Sequence, residues 1–196
     1  MSRVSGAGGA PTPSDAELLA AANRGEERAM EALYFRYRDW VHARAWRLTG
    51  SPEDAADVLQ EVFLYFFRKF PGLALHCEVK TFLYPVVRSL ALDRRRRRRE
   101  APLGEAAAEL AAPDRREEAA ERQALAALLA PLPEEQREVV VLRFADGLAL
   151  GEIARALEVP VGTVKSRLHN ALATLRVSLR RADSSGISEP SAGPAP

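Results

Sequence analysis

From Asp15 onward, apolar residues recur three and four positions apart almost without a break, the period of helices with one buried face. No stretch of useful length alternates apolar and polar residues, so the expected fold class is all-α. Ser14 and Glu17 form a capping box ahead of "DAELLAAANR". A second helix is expected from about Glu26 to Leu48, stopped by Gly50. Ser51, Pro52, Glu53 and Asp54 then supply an N-cap, a first-turn proline and acidic first-turn residues. That third helix should run to about Phe70, where Pro71–Gly72 ends it. A loop over about 71–79 leads to a fourth helix from about Lys80, apolar at Phe82, Leu83, Val86, Val87 and Leu90. Pro85 lacks an amide donor and clashes with the preceding turn, so this helix is expected to begin nearer Tyr84 or to kink.

A helix turns about 100° per residue, which allows the third helix to be phased. Val58, Leu59, Val62, Phe63, Phe66 and Phe70 share one arc and should pack inside. Glu53, Asp57, Gln60, Glu61, Leu64, Phe67 and Arg68 share the other. Leu64 and Phe67 are apolar on a face that ought to be polar, and an exposed apolar pair beside carboxylates marks an interface. The plainer alternative is that the helices over 14–23 or 26–48 cover them.

In "LALGEIARALEVPVGTVKSRLHNALATLR" (148–176), Leu150, Ile153, Ala154 and Leu157 make one apolar helical face. A turn at Glu158–Pro160 precedes a second helix from about Val161. Ala154 is small, as two helices crossing over a short turn require. In the second helix Val164, Leu168, Ala171, Leu172, Leu175 and Leu179 form the core arc. Thr163, Ser166, His169 and Asn170 point the other way, flanked by Lys165 and Arg167. Short polar side chains between cations near a helix start suit a major groove, the polar groups reading base edges and the cations meeting phosphates. An ordinary amphipathic helix with a solvated face is the competing reading.

The charge pattern points the same way. The 196 residues carry a net charge of only +1, but the charge is segregated. Residues 14–99 hold 16 Lys/Arg against 12 Asp/Glu, residues 100–134 hold 3 against 8, and residues 135–182 hold 8 against 5. Two basic blocks about an acidic one suggest two modules on a polyanion. Residues 100–113 are acidic, Ala-rich and bounded by prolines, which suits a flexible linker between small helical domains over 14–99 and 114–182. The Gly/Pro/Ser-rich ends, 1–13 and 183–196, are expected to be disordered tails. Cys77 is the only cysteine and the three histidines are scattered, so neither a disulfide nor a metal site is expected. There is no nucleotide-binding loop and no catalytic constellation, so the chain is not expected to be an enzyme or to need a cofactor. Without a signal-peptide core or a run of 18 apolar residues, a cytoplasmic protein with no membrane insertion is expected.

Two stretches together carry a family likeness. "PLPEEQREVVVLRFADGLALGEIARALEVPVGTVKSRLHNALATLR" (131–176) closely resembles region 4 of bacterial sigma factors of the extracytoplasmic-function group, with "GTVKSRL" after "EIA" as its hallmark. "SPEDAADVLQEVFLYFFRKF" (51–70) resembles region 2 of the same family. Another helix-turn-helix regulator would share the first of these motifs but not the second. The resemblance covers about residues 14–181. It implies a transcription initiation factor whose region 2 binds core RNA polymerase and the −10 promoter element and whose region 4 binds the −35 element, with an anti-sigma factor as a further partner.

Residue by residue, the resemblance implies that Asp57, Gln60, Glu61 and Leu64 face the clamp helices of the largest polymerase subunit. It implies that Lys80, Arg88, Ser89, Arg94, Arg95 and Arg98 lie toward −10 DNA, and Thr163, Lys165, Ser166, Arg167, His169 and Asn170 toward −35 DNA. The chain departs from the family pattern at Phe82, where tryptophan is usual, at Ser89, where asparagine is common, and at Pro85. The loop "GLALHCEVK" (72–80), which in the family captures a flipped-out base, is also atypical. Tyr65, Phe66 and Phe67 could be read as melting aromatics, although Phe66 phases into the core. Asn170 replaces the usual arginine; since asparagine pairs bidentately with adenine whereas arginine favours guanine or phosphate, an altered −35 preference or one fewer phosphate contact is expected. The unbroken run Arg94–Arg99 ends the −10 helix. Six arginines spread around a helix cannot all touch one duplex, so Arg94, Arg95 and Arg98 are expected on phosphates and the others in solvent.

Overall fold

The computed structural model describes residues 12–100 and 116–185, and the tails and linker expected at 1–13, 100–113 and 183–196 lie largely outside them. Eight helices account for nearly all of the described residues: α1 (Asp15–Asn23), α2 (Glu27–Thr49), α3 (Pro52–Phe67), α4 (Val79–Glu100), α5 (Arg116–Leu129), α6 (Glu134–Phe144), α7 (Leu150–Leu157) and α8 (Val161–Ser185). They form two compact units, α1–α4 and α5–α8. The all-α expectation holds.

Local signals set most of the boundaries. The Ser14 hydroxyl accepts the Glu17 N–H, and Glu17 returns to the Ser14 N–H at 2.7 Å, a complete capping box. The Ser14 N–H and then its hydroxyl, each donating to the Glu17 carboxylate at 2.7 Å, hold that carboxyl below its ordinary value. Gly50 ends α2 in the left-handed region at φ 71° and donates to the Trp46 carbonyl, a conformation that penalises any side chain. The Ser51 hydroxyl caps α3 through the Asp54 N–H at 3.3 Å.

The first unit packs its four helices around Leu33, Val41, Val58, Val62, Phe66, Leu83 and Val87, all fully buried. Phe63 meets Tyr34 edge-on at 4.8 Å and Phe66 meets Phe70 at 5.5 Å. Two expectations need correcting. The α3 helix stops at Phe67, three residues short of Phe70, and the chain goes on in tighter turns, with the Lys69 N–H on the Phe66 carbonyl at 3.1 Å and the Phe70 N–H on the Phe67 carbonyl at 3.2 Å. The α4 helix starts at Val79, one residue from the expected Lys80 and not at Tyr84 as Pro85 suggested, and it continues through Pro85. The proline withholds one donor, while Val79, Leu83, Tyr84, Val87 and Ala91 bury one continuous face on both sides of it. Val79, Leu83 and Val87 alone each contribute roughly 1.5–3 kcal/mol on burial, which together outweighs the loss of about 3 kcal/mol for an interior proline.

In the second unit Leu129, Leu132, Val140, Val141 and Ala171 pack with Leu168 and Leu175. Arg137 closes the end of α5, donating to the carbonyls of Leu132 at 2.8 Å and Leu129 at 3.2 Å. Leu179, expected in the core, is 50% exposed. It repeats the apolar phase of α8 one turn beyond Leu175, the last α8 residue packed on that cluster.

Candidate protein and nucleic-acid interfaces

On α3, Asp54, Asp57 and Glu61 follow one another at spacings of three and four, so they form one row. On α4, Leu83, Val87 and Ala91 are spaced by four and buried, and Arg94 is next in that row. The packing of α4 on α3 therefore carries Arg94 onto the acidic row. Its Nη1 lies 2.5 Å from Asp57 and 4.0 Å from Asp54, and its Nη2 pairs with Glu61. The hydrogen bond to Glu61, with support from Asp57, raises the Arg94 pKa further. Arg98, one turn on, is 3.9 Å from Asp54. Asp54 is a member of this cluster that phasing α3 alone did not single out.

Beside this row Gln60 is exposed and Leu64 is 56% exposed. The four residues Asp57, Gln60, Glu61 and Leu64 thus share the solvent face of α3. Phe67, phased onto that face, is instead half-buried against Phe63 and Phe66, each at 5.6 Å. Of the three neighbouring aromatics, Phe66 is core and Tyr65 is the accessible one. Tyr65 stacks on Phe82 at 6.1 Å, and the Lys69 ammonium sits 4.6 Å from its ring centre.

Along α4, Ser89 is exposed, and Lys80, Arg88 and Arg95 are half-buried. The Lys80 ammonium lies 6.0 Å from the Trp40 ring centre. Arg96 and Arg97 pair with Asp93 of their own helix at 2.5 and 2.7 Å. The loop before α4 is held by Asn23, at the end of α1, through the backbone of Gly72 and Leu73. Nothing in the local pattern of α1 pointed to Asn23.

In the second unit, α7 and α8 form the helix-turn-helix. Ile153 and Ala154 of α7 are buried against it, and Val164 and Ala171 bury the inner face of α8. Glu158 turns the chain in the left-handed region at φ 55°, and the Val159 N–H reaches back to the Ala154 carbonyl at 3.0 Å. Arg143 braces the approach to α7 through the Leu148 carbonyl at 3.0 Å. On the outer face Lys165, Ser166, His169 and Asn170 are exposed, and Thr163 is half-buried. The Ser166 hydroxyl donates to the Thr163 carbonyl at 3.0 Å. Arg167 pairs with Glu135 of α6, leaving its side chain 21% exposed.

Residues 33–101 match the model of sigma-70 region 2, and residues 122–175 match that of sigma-70 region 4. The ECF RNA polymerase sigma factor SigM of Mycobacterium tuberculosis is 35% identical over 170 residues, covering 87% of each chain. The chain belongs to the ECF sigma factors. SigL of the same species is 32% identical over 193 residues, 92% of this chain and 97% of that one. Among solved structures, CnrH in complex with the cytosolic domain of CnrY is 26% identical, with a TM-score of 0.63 over 85% of this chain and 97% of that one. The protein is therefore a transcription initiation factor with domains for promoter recognition. Among the described residues, no helix is long and apolar enough to cross a membrane.

Proposed function

We propose that residues 14–99 act as region 2 and residues 114–182 as region 4, joined by a linker over 100–113 and flanked by tails at 1–13 and 183–196. In this reading Asp57, Gln60, Glu61 and Leu64 dock on the clamp helices of core RNA polymerase. The observation that carries it is Leu64: a large apolar side chain, more than half exposed, set among carboxylates and an amide. Such a patch gains by being covered.

Lys80, Arg88, Ser89, Arg94, Arg95 and Arg98 then serve the −10 DNA. Thr163, Lys165, Ser166, Arg167, His169 and Asn170 serve the −35 DNA, with Asn170 shifting the base preference toward adenine. The exposure of Lys165, Ser166, His169 and Asn170 on one face supports the second group. Arg94 and Arg167 are drawn into ion pairs and must exchange partners to reach phosphate. The protein works in the cytoplasm on a specific, signal-responsive gene set. An anti-sigma factor restrains it by covering these surfaces, a proposal supported by CnrH having been solved with the cytosolic domain of CnrY.

Transcription in vitro with core enzyme on a promoter library, with start sites mapped, tests the reading. Starts should appear downstream of one shared pair of −10 and −35 elements, and Gln60→Ala with Glu61→Lys should weaken core binding without unfolding the chain. Normal core affinity in that double variant would remove α3 from the polymerase contact.

A further inference from the structure

The assignments above give Asp57 and Glu61 to a protein partner and Arg94 to DNA, yet the structure joins the three to one another. We propose that the free chain masks Arg94 from DNA with its own Asp57 and Glu61, and that a cationic protein face docking on those carboxylates releases it. The inference rests on the polymerase-docking reading for its trigger, but the masking itself stands on geometry.

Both terminal nitrogens of the guanidinium are committed, Nη1 to Asp57 and Nη2 to Glu61, with Asp54 behind them. A phosphate must therefore displace these carboxylates to take the Nη1 and Nη2 donors they hold. The arrangement is also lopsided. The Arg94 side chain is 25% exposed, while Asp57 and Glu61 are 57% and 45% exposed. Arg94 reaches them from α4, and both carboxylate side chains keep enough exposed surface to meet an incoming cation. Exchange then needs rotation of one flexible side chain and no unfolding. Among the described residues Arg96 and Arg97 pair with Asp93, and they remain 68% and 76% exposed, so they need no such release. Arg98, which shares Asp54, also faces this cluster from α4. Because coupling between two ligands is reciprocal, DNA that captures Arg94 strengthens docking on the carboxylates as much as docking strengthens DNA binding.

The test uses the free full-length chain and a mixed-sequence duplex, with affinity measured by fluorescence anisotropy across a salt series. Arg94→Ala is introduced into the wild type and into Asp57→Asn/Glu61→Gln, with folding checked by circular dichroism and Arg94→Gln as a parallel variant. In the wild type, removing masked Arg94 should leave the slope of log K against log salt unchanged. In the carboxylate-free background it should lower that slope by about one, the value of one phosphate contact. The cycle cancels the general effect of deleting two negative charges. An equal effect of Arg94→Ala in both backgrounds, including no effect in either, overturns the proposal. Core affinity of Asp57→Asn/Glu61→Gln is measured separately: full retention refutes the docking reading, and with it the trigger, while the DNA cycle alone decides the masking.

Discussion

Asn23 and Leu73 are joined in both directions. The Asn23 amide donates to the Leu73 carbonyl at 2.9 Å, and its oxygen accepts the Leu73 N–H at 3.0 Å. The same oxygen takes the Gly72 N–H at 2.7 Å. The last residue of α1 thereby fixes the start of the loop that leads into α4 at Val79, the segment for which the family resemblance implies contact with the opened −10 strand. Replacing Asn23 by Ala removes all three bonds, and water can substitute only where the backbone is exposed, at Gly72. The expected cost is about 1–2 kcal/mol, read as a lower denaturant midpoint. Open-complex formation should fall while core binding stays intact. Asn23→Asp keeps the acceptor and loses the donor, so it should lie between the two; a midpoint unchanged by Asn23→Ala contradicts the role.

The turn of the helix-turn-helix carries a cost that one substitution should remove. Glu158 holds φ 55° and ψ 41°, a region where a side-chain-bearing residue loses roughly 1–2 kcal/mol. Glycine accepts that geometry but gains freedom in the unfolded chain. The net expectation for Glu158→Gly is a gain of about 0.5–1 kcal/mol. It should appear as a higher midpoint for the second unit in chemical denaturation, and a loss of stability would show that the Glu158 side chain contributes more than its backbone costs.

These two sites differ in how far sequence could reveal them. Ser14, Gly50 and Ser51 act through bonds to residues within a turn, so their motifs were legible directly. Phase was equally legible: Val58, Val62 and Phe66 are buried and Leu64 is exposed, as about 100° per residue requires. Phase says nothing of where a partner ends, so Leu179 continues the α8 pattern into solvent. Nor does it weigh Pro85 against the apolar face that continues past it. Arg94 is the sharpest case. Its place after Leu83, Val87 and Ala91 was readable, but its meaning required the acidic row of α3, 33 to 40 residues away in sequence. Asn23 lies 50 residues from the loop it holds, and no local rule reaches that far.

An alkaline limit on stability follows from Tyr37. Its hydroxyl donates to Asp15, which also accepts Arg36 Nη1 at 2.6 Å, while Arg36 Nη2 binds the Pro13 carbonyl at 2.6 Å. Burial first, and then the Asp15 carboxylate, push the Tyr37 phenol well above its ordinary value of 10.0. A group whose folded pKa is raised stabilises the fold fully below the unfolded value and loses that contribution as pH rises. Thermal midpoints should therefore fall as pH rises above about 10, and Tyr37→Phe should flatten the fall. At neutral pH the same variant should cost about 1 kcal/mol for the lost hydrogen bond. An identical alkaline profile for the two proteins assigns the titration elsewhere.

Leu64 separates interface from fold most cleanly. It is the exposed apolar residue of the α3 face, whereas Phe63 beside it is buried at 4% exposure. Truncating an exposed side chain changes stability by no more than about 0.5 kcal/mol, but truncating the centre of an interface costs more than about 1 kcal/mol in binding. Leu64→Ser should therefore keep the unfolding midpoint and weaken core polymerase binding at least fivefold, since 1 kcal/mol is about a factor of five. Phe63→Ala should do the reverse in origin, losing about 3–5 kcal/mol of stability and binding only as the folded fraction falls. Stability and affinity measured together on the two variants decide the matter. If Leu64→Ser binds core as the wild type does, the apolar spot is not the docking point, however exposed it is.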